Sequence, residues 1–408
     1  MCKSDRKTKR NTTGFLFKSC LILLLPVSTF AASELEVLKL EVEQLKKDVK
    51  QAKEWSNPNS LIHMAGYADV GYISDDNPAT EDSFSVGTFA PIFHYQYRDL
   101  VMLESELEIE LAEDGSTEIK LEYLTIDWMI NDYAVLVAGQ FLSPIGNFRQ
   151  NLHPSWINKL PSAPPGFGHD GAAPVSDLGV QLRGGFYLGD MKANYSLYVG
   201  NGPEVKAEIE DDGLGGIDEI EFDGVDAEAF GADADGDKVF GGRLGLFPLK
   251  SLEVGVSFLS GDATVTEYEG GDPTGGSAPS LDGISGSAYD VIGVDISYQR
   301  KAVDLRYEYV ATEMSAITIG GFDLQAAEWT TWYAQGAYRF LPSKYEAVIR
   351  VSEFDSPHDS NDQEQLALGI NYLFSNNFIG KLGFESNDNP NVGQTAYDRW
   401  MLQLAYGF

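Results

Sequence analysis

From Leu61 to Phe408 the chain alternates apolar and polar residues in short runs broken by turn residues. In VMLESELEIEL (Val101–Leu111) a glutamate stands at every second position from Glu104 to Glu110, and Val101, Leu103, Leu107, Ile109 and Leu111 take the opposite set. On a helix, Glu104/Glu108 and Glu106/Glu110 would be repelling i,i+4 pairs. On a strand the four acids share one face and the apolar residues the other. The same period recurs in KAVDLRYEYV, where Val303, Leu305, Tyr307 and Tyr309 oppose Asp304, Arg306 and Glu308. In YEAVIRV, Tyr345, Ala347, Ile349 and Val351 oppose Glu346 and Arg350, and in the last stretch Trp400, Leu402, Leu404, Tyr406 and Phe408 oppose Arg399, Met401 and Gln403.

The pattern predicts about sixteen strands, near residues 61–74, 84–98, 101–112, 117–130, 133–143, 177–187, 191–201 and 238–248, then 251–262, 287–300, 301–314, 327–340, 344–355, 363–375, 377–387 and 396–408. The gaps sort by parity. Connections after even strands are tiny, as at Arg98-Asp99, Gly189-Asp190 and Arg300-Lys301, whereas 144–176, 202–237, 263–286 and 315–326 are long. Short turns on one rim and long loops on the other are the habit of an even-stranded transmembrane barrel. A sandwich or propeller has no reason to sort loops in this way. The expected fold is all-β, an antiparallel transmembrane β-barrel over 61–408 preceded by a short N-terminal coiled-coil helix. Charge on the lipid face costs about 2–4 kcal/mol for Arg or Lys at mid-membrane, so the polar sets are expected to face the lumen.

The first sixty residues are of another kind. Lys3, Arg6, Lys7, Lys9 and Arg10 precede the apolar run LILLLPV and the small residues Ala31 and Ala32, which predicts an export signal over 1–31. Both cysteines, Cys2 and Cys20, fall inside it, so the exported chain would carry no thiol. In Ser33–Glu54, Leu35, Leu38, Val42, Leu45, Val49 and Ala52 are spaced by three and four, the seam of a coiled coil. Three heptads are too short for a lone helix, so the seam is expected to pair with other copies, most simply as a trimer, or to pack on its own barrel. WSNPNS (55–60) is the linker to the first strand. The formal charge of −33 excludes electrostatic binding of nucleic acid.

Phe408, an aromatic C-terminal residue on an alternating strand, resembles the assembly signal of bacterial outer-membrane barrels. GQFLSPIGNF (Gly139–Phe148) and DLGVQLRGG (Asp177–Gly185) resemble the segments that flank the third outer loop in the phosphate-selective porin O/P family. With the coiled coil, the layout is also similar to related trimeric porins and to the legiobactin-type siderophore porins. The resemblance implies a channel for small hydrophilic solutes, embedded among outer-membrane lipid and lipopolysaccharide, as a homotrimer without cofactor. Phosphate-selective members carry basic ladders in the lumen. Here the clearest ladder is acidic, which turns the expectation away from phosphate.

Two groups of residues are candidates for function. The loop 144–176 holds Pro154, Pro161, Pro164, Pro165 and Pro174, which stiffen it as a fixed constriction requires. Arg149, His153, Lys159 and His169 give it a positive bias; Trp156 offers an apolar contact, and Asp170 belongs to the same predicted constriction. Facing it, the expected lumen wall comprises Arg98, Glu104, Glu106, Glu108, Glu110, Lys120, Glu122, Arg183, Arg306 and Arg350. Opposed charges of this kind set up a field across a pore. The acid row equally suits a wide lumen in which the glutamates are merely solvated or paired with arginine. The acidic loop 202–237 is expected to be a hydrated outer loop; Asp233, Asp235 and Asp237 echo a calcium loop, but Lys238 follows where glycine is needed and Leu244 stands at the twelfth position. Five scattered histidines, no G-x-S-x-G and no phosphate loop argue against an enzyme. The expected function is charge-selective passive diffusion. The alternatives are siderophore uptake and a structural barrel tethered to the cell wall.

Overall fold

The structure is a computed structural model, and it describes Glu43, Lys46 and residues 61–76, 82–111, 115–168, 171–211, 217–226, 233, 235–269, 279–281, 284–357, 361–388 and 396–408. The predicted export signal, the linker, and the coiled coil apart from Glu43 and Lys46 (both helical), lie outside the described residues, as do His169 and Asp170. Two compact units divide the chain, Met1–Ser56 and Asn57–Phe408.

The second unit is nearly all sheet. Its strands are β1 (Leu61–Asp75), β2 (Ser83–Tyr97), β3 (Val101–Leu111), β4 (Thr117–Asn131), β5 (Ala134–Leu142), β6 (Ser176–Leu188) and β7 (Met191–Gly200). A hairpin follows, β8 (Glu204–Asp211) and β9 (Ile217–Asp226). Then come β10 (Val239–Leu249), β11 (Leu252–Glu269), β12 (Ser287–Arg300), β13 (Val303–Met314), and a small hairpin of β14 (Ile317–Ile319) and β15 (Phe322–Leu324). The chain ends with β16 (Ala327–Arg339), β17 (Tyr345–Asp355), β18 (Gln363–Leu373), β19 (Phe378–Asp388) and β20 (Tyr397–Gly407). Without the two hairpins, sixteen antiparallel strands pair in sequence order, and β20 pairs back onto β1 from Tyr67↔Gly407 to Asp75↔Arg399. No edge remains, which is how a sheet satisfies its backbone in lipid. Each of the sixteen predicted strands coincides with one of these.

The alternation sorts the two faces as its period requires. On β20 Trp400, Leu402, Leu404 and Tyr406 are exposed while Met401 and Ala405 are buried. On β4 Ile119, Leu121, Leu124, Ile126 and Trp128 are exposed, whereas Glu122, Thr125 and Asp127 are buried. The parity changes after Leu121 because β3 and β4 shift register between Glu106 and Leu107, a bulge that spends one extra residue of β4. A continuous apolar exterior with carboxylates inside inverts a water-soluble protein and fits one whose outer solvent is hydrocarbon. At the short-turn rim, Tyr345, Tyr372, Phe374, Phe378, Tyr406 and Phe408 form a chain of aromatic contacts, the girdle expected at a membrane interface.

The loop rim departs from expectation. Part of 202–237 is not a hydrated loop but the β8–β9 hairpin, whose β8 pairs in parallel with the outer extension of β11, Thr264↔Glu204 to Glu269↔Glu208. Val205, Ala207, Ile209, Ile220, Phe222 and Val225 bury one face of the hairpin against a core that includes Trp329, Tyr289 and Met314. Trp329 Nε1 donates to the carbonyl of Asp223 at 3.4 Å. The physical reason is the same alternation that builds the wall: every second residue is apolar, and the acids take the other face.

Candidate functional site

The site begins where β5 ends. Ser143 N donates to Val175 O at 2.8 Å, closing the base of the loop 144–176. The chain then turns inward at Gly146, whose φ of +70° suits glycine, and a Cβ there would collide with the Glu308 carboxylate. The close approach lets Glu308 accept the backbone N–H of Asn147 at 2.8 Å and of Phe148 at 3.0 Å, while Gly146 N donates to Ser257 Oγ at 3.0 Å. A single π-helical turn, Phe148–Leu152, follows.

From there the loop runs down one side of the lumen. Lys381 Nζ donates to the carbonyls of Ser155, at 2.5 Å, and Leu160, at 3.2 Å. Asn371 Nδ2 donates to Lys159 O at 2.9 Å. Lys159 Nζ lies 2.9 Å from Glu346 and 3.7 Å from Asp304. Arg350, with no exposed surface, donates to Ser162 O and Ala163 O, both at 3.0 Å, and lies 3.6 Å from Glu385. Thr331 Oγ1 donates to Pro165 O at 2.8 Å as the loop climbs back. Leu160 packs with Ala337, Val348 and Ala367 behind it. The hydrogen bonds and ion pairs lie on β11 to β13 and β16 to β19, so the loop is fastened to that half of the barrel, while Trp156 and His153 reach Gly407 of β20 and Tyr67 of β1.

The opposite half, β1 to β5, is acidic. Glu106 and Glu108 are buried on the lumen face with Asp69 and Glu122, and Thr88 Oγ1 donates to Glu108 at 3.3 Å and Glu110 at 3.2 Å. The hydroxyls of Tyr67 and Tyr123 lie beside Glu106. Between this wall and the loop lies a cavity of about 320 Å³ bordered by Asp69, Thr88, Glu108, Arg149, His153 and Gln403. A second, of about 700 Å³, opens toward the short-turn rim and is bordered by Asn147, Gln150, Arg183, Arg243, Glu253, Asp304 and Arg306. A small space of about 120 Å³ between Glu104, Tyr123, Gln150 and Arg183 touches the same wall.

The predicted residues therefore fall into three groups. Glu104, Glu108, Arg149, His153, Arg183 and Arg306 border these cavities, and Glu106, Glu110, Lys120 and Glu122 lie on the same strands. Lys159 and Arg350 instead fasten the loop to the wall, and Trp156 lies against Gly407, where a Cβ would be 2.8 Å from its ring. Arg98 is not on the wall: it sits in the β2–β3 turn with φ +52°, exposed, 5.3 Å above the Tyr97 ring, because a two-sided turn needs that backbone conformation. Glu308 was expected on the lumen face but not as an anchor of the loop, and Lys381 and Arg243 were not foreseen, the last paired with Asp295 at 2.6 Å and Glu253 at 3.0 Å. Arg243 and Lys381 interrupt apolar alternation as Arg306 does, so the signal was present.

Asp233, Asp235 and Asp237 do not converge on a cation. Asp233 Oδ1 accepts Gly236 N at 2.7 Å and pairs with Lys238, and Asp235 Oδ1 accepts Asp237 N at 2.9 Å. Burial pushes the Asp235 carboxyl above its ordinary range. Among the described residues no three His, Cys, Asp or Glu side chains are grouped to hold a metal ion.

No protein-family model and no curated protein sequence matches the chain. Solved structures do. The anion-selective porin from Comamonas acidovorans is 13% identical with a TM-score of 0.55, over 86% of this chain and 100% of that one. The outer-membrane channel DcaP of Acinetobacter baumannii is 11% identical with a TM-score of 0.55, over 86% and 98%. The trimer form of OmpT, an outer-membrane protein of Vibrio cholerae, is 10% identical with a TM-score of 0.53, over 86% and 100%. The fold is that of the outer-membrane porins.

Proposed function

We propose that this chain is an outer-membrane porin for passive diffusion of small hydrophilic solutes, selecting by charge in the space between the loop 144–176 and the β1–β5 wall. One observation carries the reading: the loop is fastened by buried cations to the far wall, which leaves a polar passage along the glutamates. Arg149 on the loop and Glu108 on the wall border one cavity, so a solute passing there meets a transverse field. The acid excess on that wall favours cations at the narrows, and Arg183, Arg243 and Arg306 offset it nearer the short-turn rim.

In this reading residues 1–31 are an export signal and Ser33–Glu54 a periplasmic coil that joins three copies, with lipid and lipopolysaccharide around the apolar exterior. GQFLSPIGNF and DLGVQLRGG support kinship with the phosphate-selective porin O/P and legiobactin-type groups, with a different solute preference. Recording from single channels in a planar bilayer tests the function. A porin conducts ions and shows a cation-directed reversal potential in a salt gradient; a tether with a plugged lumen passes no current.

A further inference from the structure

We propose that one arc of the short-turn rim binds acidic phospholipid, through the headgroup phosphate and the acyl chains together. The arc is made by the turns that join β10 to β11, β12 to β13 and β16 to β17. Lys250, Arg300, Lys301 and Lys344 are exposed there, and none of these turns holds an Asp or Glu. The other turns differ. Arg98-Asp99, Asn131-Asp132 and Gly189-Asp190 each carry an acid, and 375–377 carries no charge. The acids nearest the arc in sequence are engaged on the lumen side: Glu253 with Arg243, Asp304 with Arg306 and Glu346 with Lys159. Among the described residues none of the four cations has an ion-pair partner, and Lys344 Nζ donates to the carbonyl of Phe374 at 2.8 Å.

The main chain holds the three turns side by side. Gln299 N donates to Ser251 O, and Arg339 N to Ala302 O, each at 2.8 Å. Ser251 adjoins Lys250, Gln299 adjoins Arg300, and Ala302 adjoins Lys301. The cations therefore stand on the ends of neighbouring strands, which run about 4.7–4.9 Å apart. Like charges gathered along one edge favour an anion that lies across them.

The surface beside the cations decides the kind of anion. Leu249, Tyr338, Phe340, Leu341 and Tyr345 lie within a few residues of them and are exposed. The Tyr338 and Phe340 rings meet edge to face at 5.1 Å. On a barrel wall such residues lie in lipid, the aromatic ones at the level of the headgroups. A dissolved anion or a soluble acidic protein would use the charges and leave this apolar surface to the bilayer. A phospholipid with a net negative headgroup uses both. A zwitterionic phospholipid brings an ammonium into the same field and gains less. Each basic residue beside an anionic leaflet strengthens association about fivefold. The inference concerns the rim and holds whether or not the lumen conducts.

Fluorescence anisotropy of tail-labelled phosphatidylglycerol, titrated with the full chain in non-ionic detergent micelles, tests it. The wild type binds this lipid more tightly than labelled phosphatidylethanolamine, and excess inorganic phosphate does not displace it. Lys250→Gln, Arg300→Gln, Lys301→Gln and Lys344→Gln each weaken binding about fivefold, and the four together abolish the preference. Arg98→Gln and Lys192→Gln, on the rest of the rim, leave it unchanged. One arm needs no variant: wild-type affinity for phosphatidylglycerol falls between about 0.1 M and about 1 M salt, while that for phosphatidylethanolamine holds. Equal affinity for the two lipids would assign the cations to a soluble anionic partner and overturn the site. So would displacement by inorganic phosphate, indifference to salt, a preference that survives the four substitutions, or the same loss from Arg98→Gln as from Arg300→Gln.

Discussion

The two halves of the lumen obey one alternation rule and do opposite things with it. Along β16 to β19 the inward charges are spent on protein: Arg350 and Lys381 on carbonyls of the loop, Glu346 on Lys159, Glu385 on Ser162 and Arg350. Along β1 to β4 the inward charges are mostly carboxylates, stacked at every second position and facing cavities. Like charges opposite one another destabilise a sheet when dry. Within the row Glu104 and Glu108 border cavities that water can fill, while Glu106 is buried beside Tyr67 and Tyr123. A polar lumen face alone does not make a pore; the loop decides which half is filled and which stays open.

The strongest break in this contrast is Arg350→Ala. It removes the donors to Ser162 O and Ala163 O and leaves Glu385 buried beside no arginine. Breaking a buried pair costs about 3–5 kcal/mol. The variant barrel should lose heat resistance by gel mobility, and its open current should become larger and noisier as the loop leaves the wall. Next comes Glu104/106/108/110→Gln, which abolishes the acid row. The reversal potential should shift toward anions, more at 0.1 M salt than at 1 M, because the Debye length falls from about 10 Å to about 3 Å. Arg183→Gln should move selectivity the other way by less, since Arg183 already pairs with Asp127. Smallest for the lumen is deletion of Ser33–Glu54. It should loosen oligomers on native gels while the current per barrel stays unchanged.

Much of this was legible in the chain because the barrel wall is a local code. Alternation in stretches such as Tyr345–Val351 names the strand and its lumen face with no knowledge of neighbours. The loop 144–176 stands out too, through five prolines and a positive bias against an acidic chain. Its fastening does not. Lys159 meets Glu346, and Gly146 meets Glu308, across separations of well over one hundred residues, and no local pattern encodes which wall a loop leans on. That is why Arg350 reads as a lumen residue by period yet lies beneath the loop. The β8–β9 hairpin was hidden for another reason: its acids dominate the composition, although Val205, Ala207 and Ile209 alternate like any strand.

Both cysteines lie within residues 1–31, the proposed export signal, and with Cys2 and Cys20 replaced by serine single cysteines on the barrel can be read without background. The most direct measurement compares Glu108→Cys, on the acidic wall, with Ala367→Cys, behind the loop, under a water-soluble thiol reagent during bilayer recording. The current through Glu108→Cys should fall on reaction while that through Ala367→Cys stays constant. Reaction and block at Ala367→Cys, with Glu108→Cys unaffected, would put the passage on the other side of the loop and contradict the account.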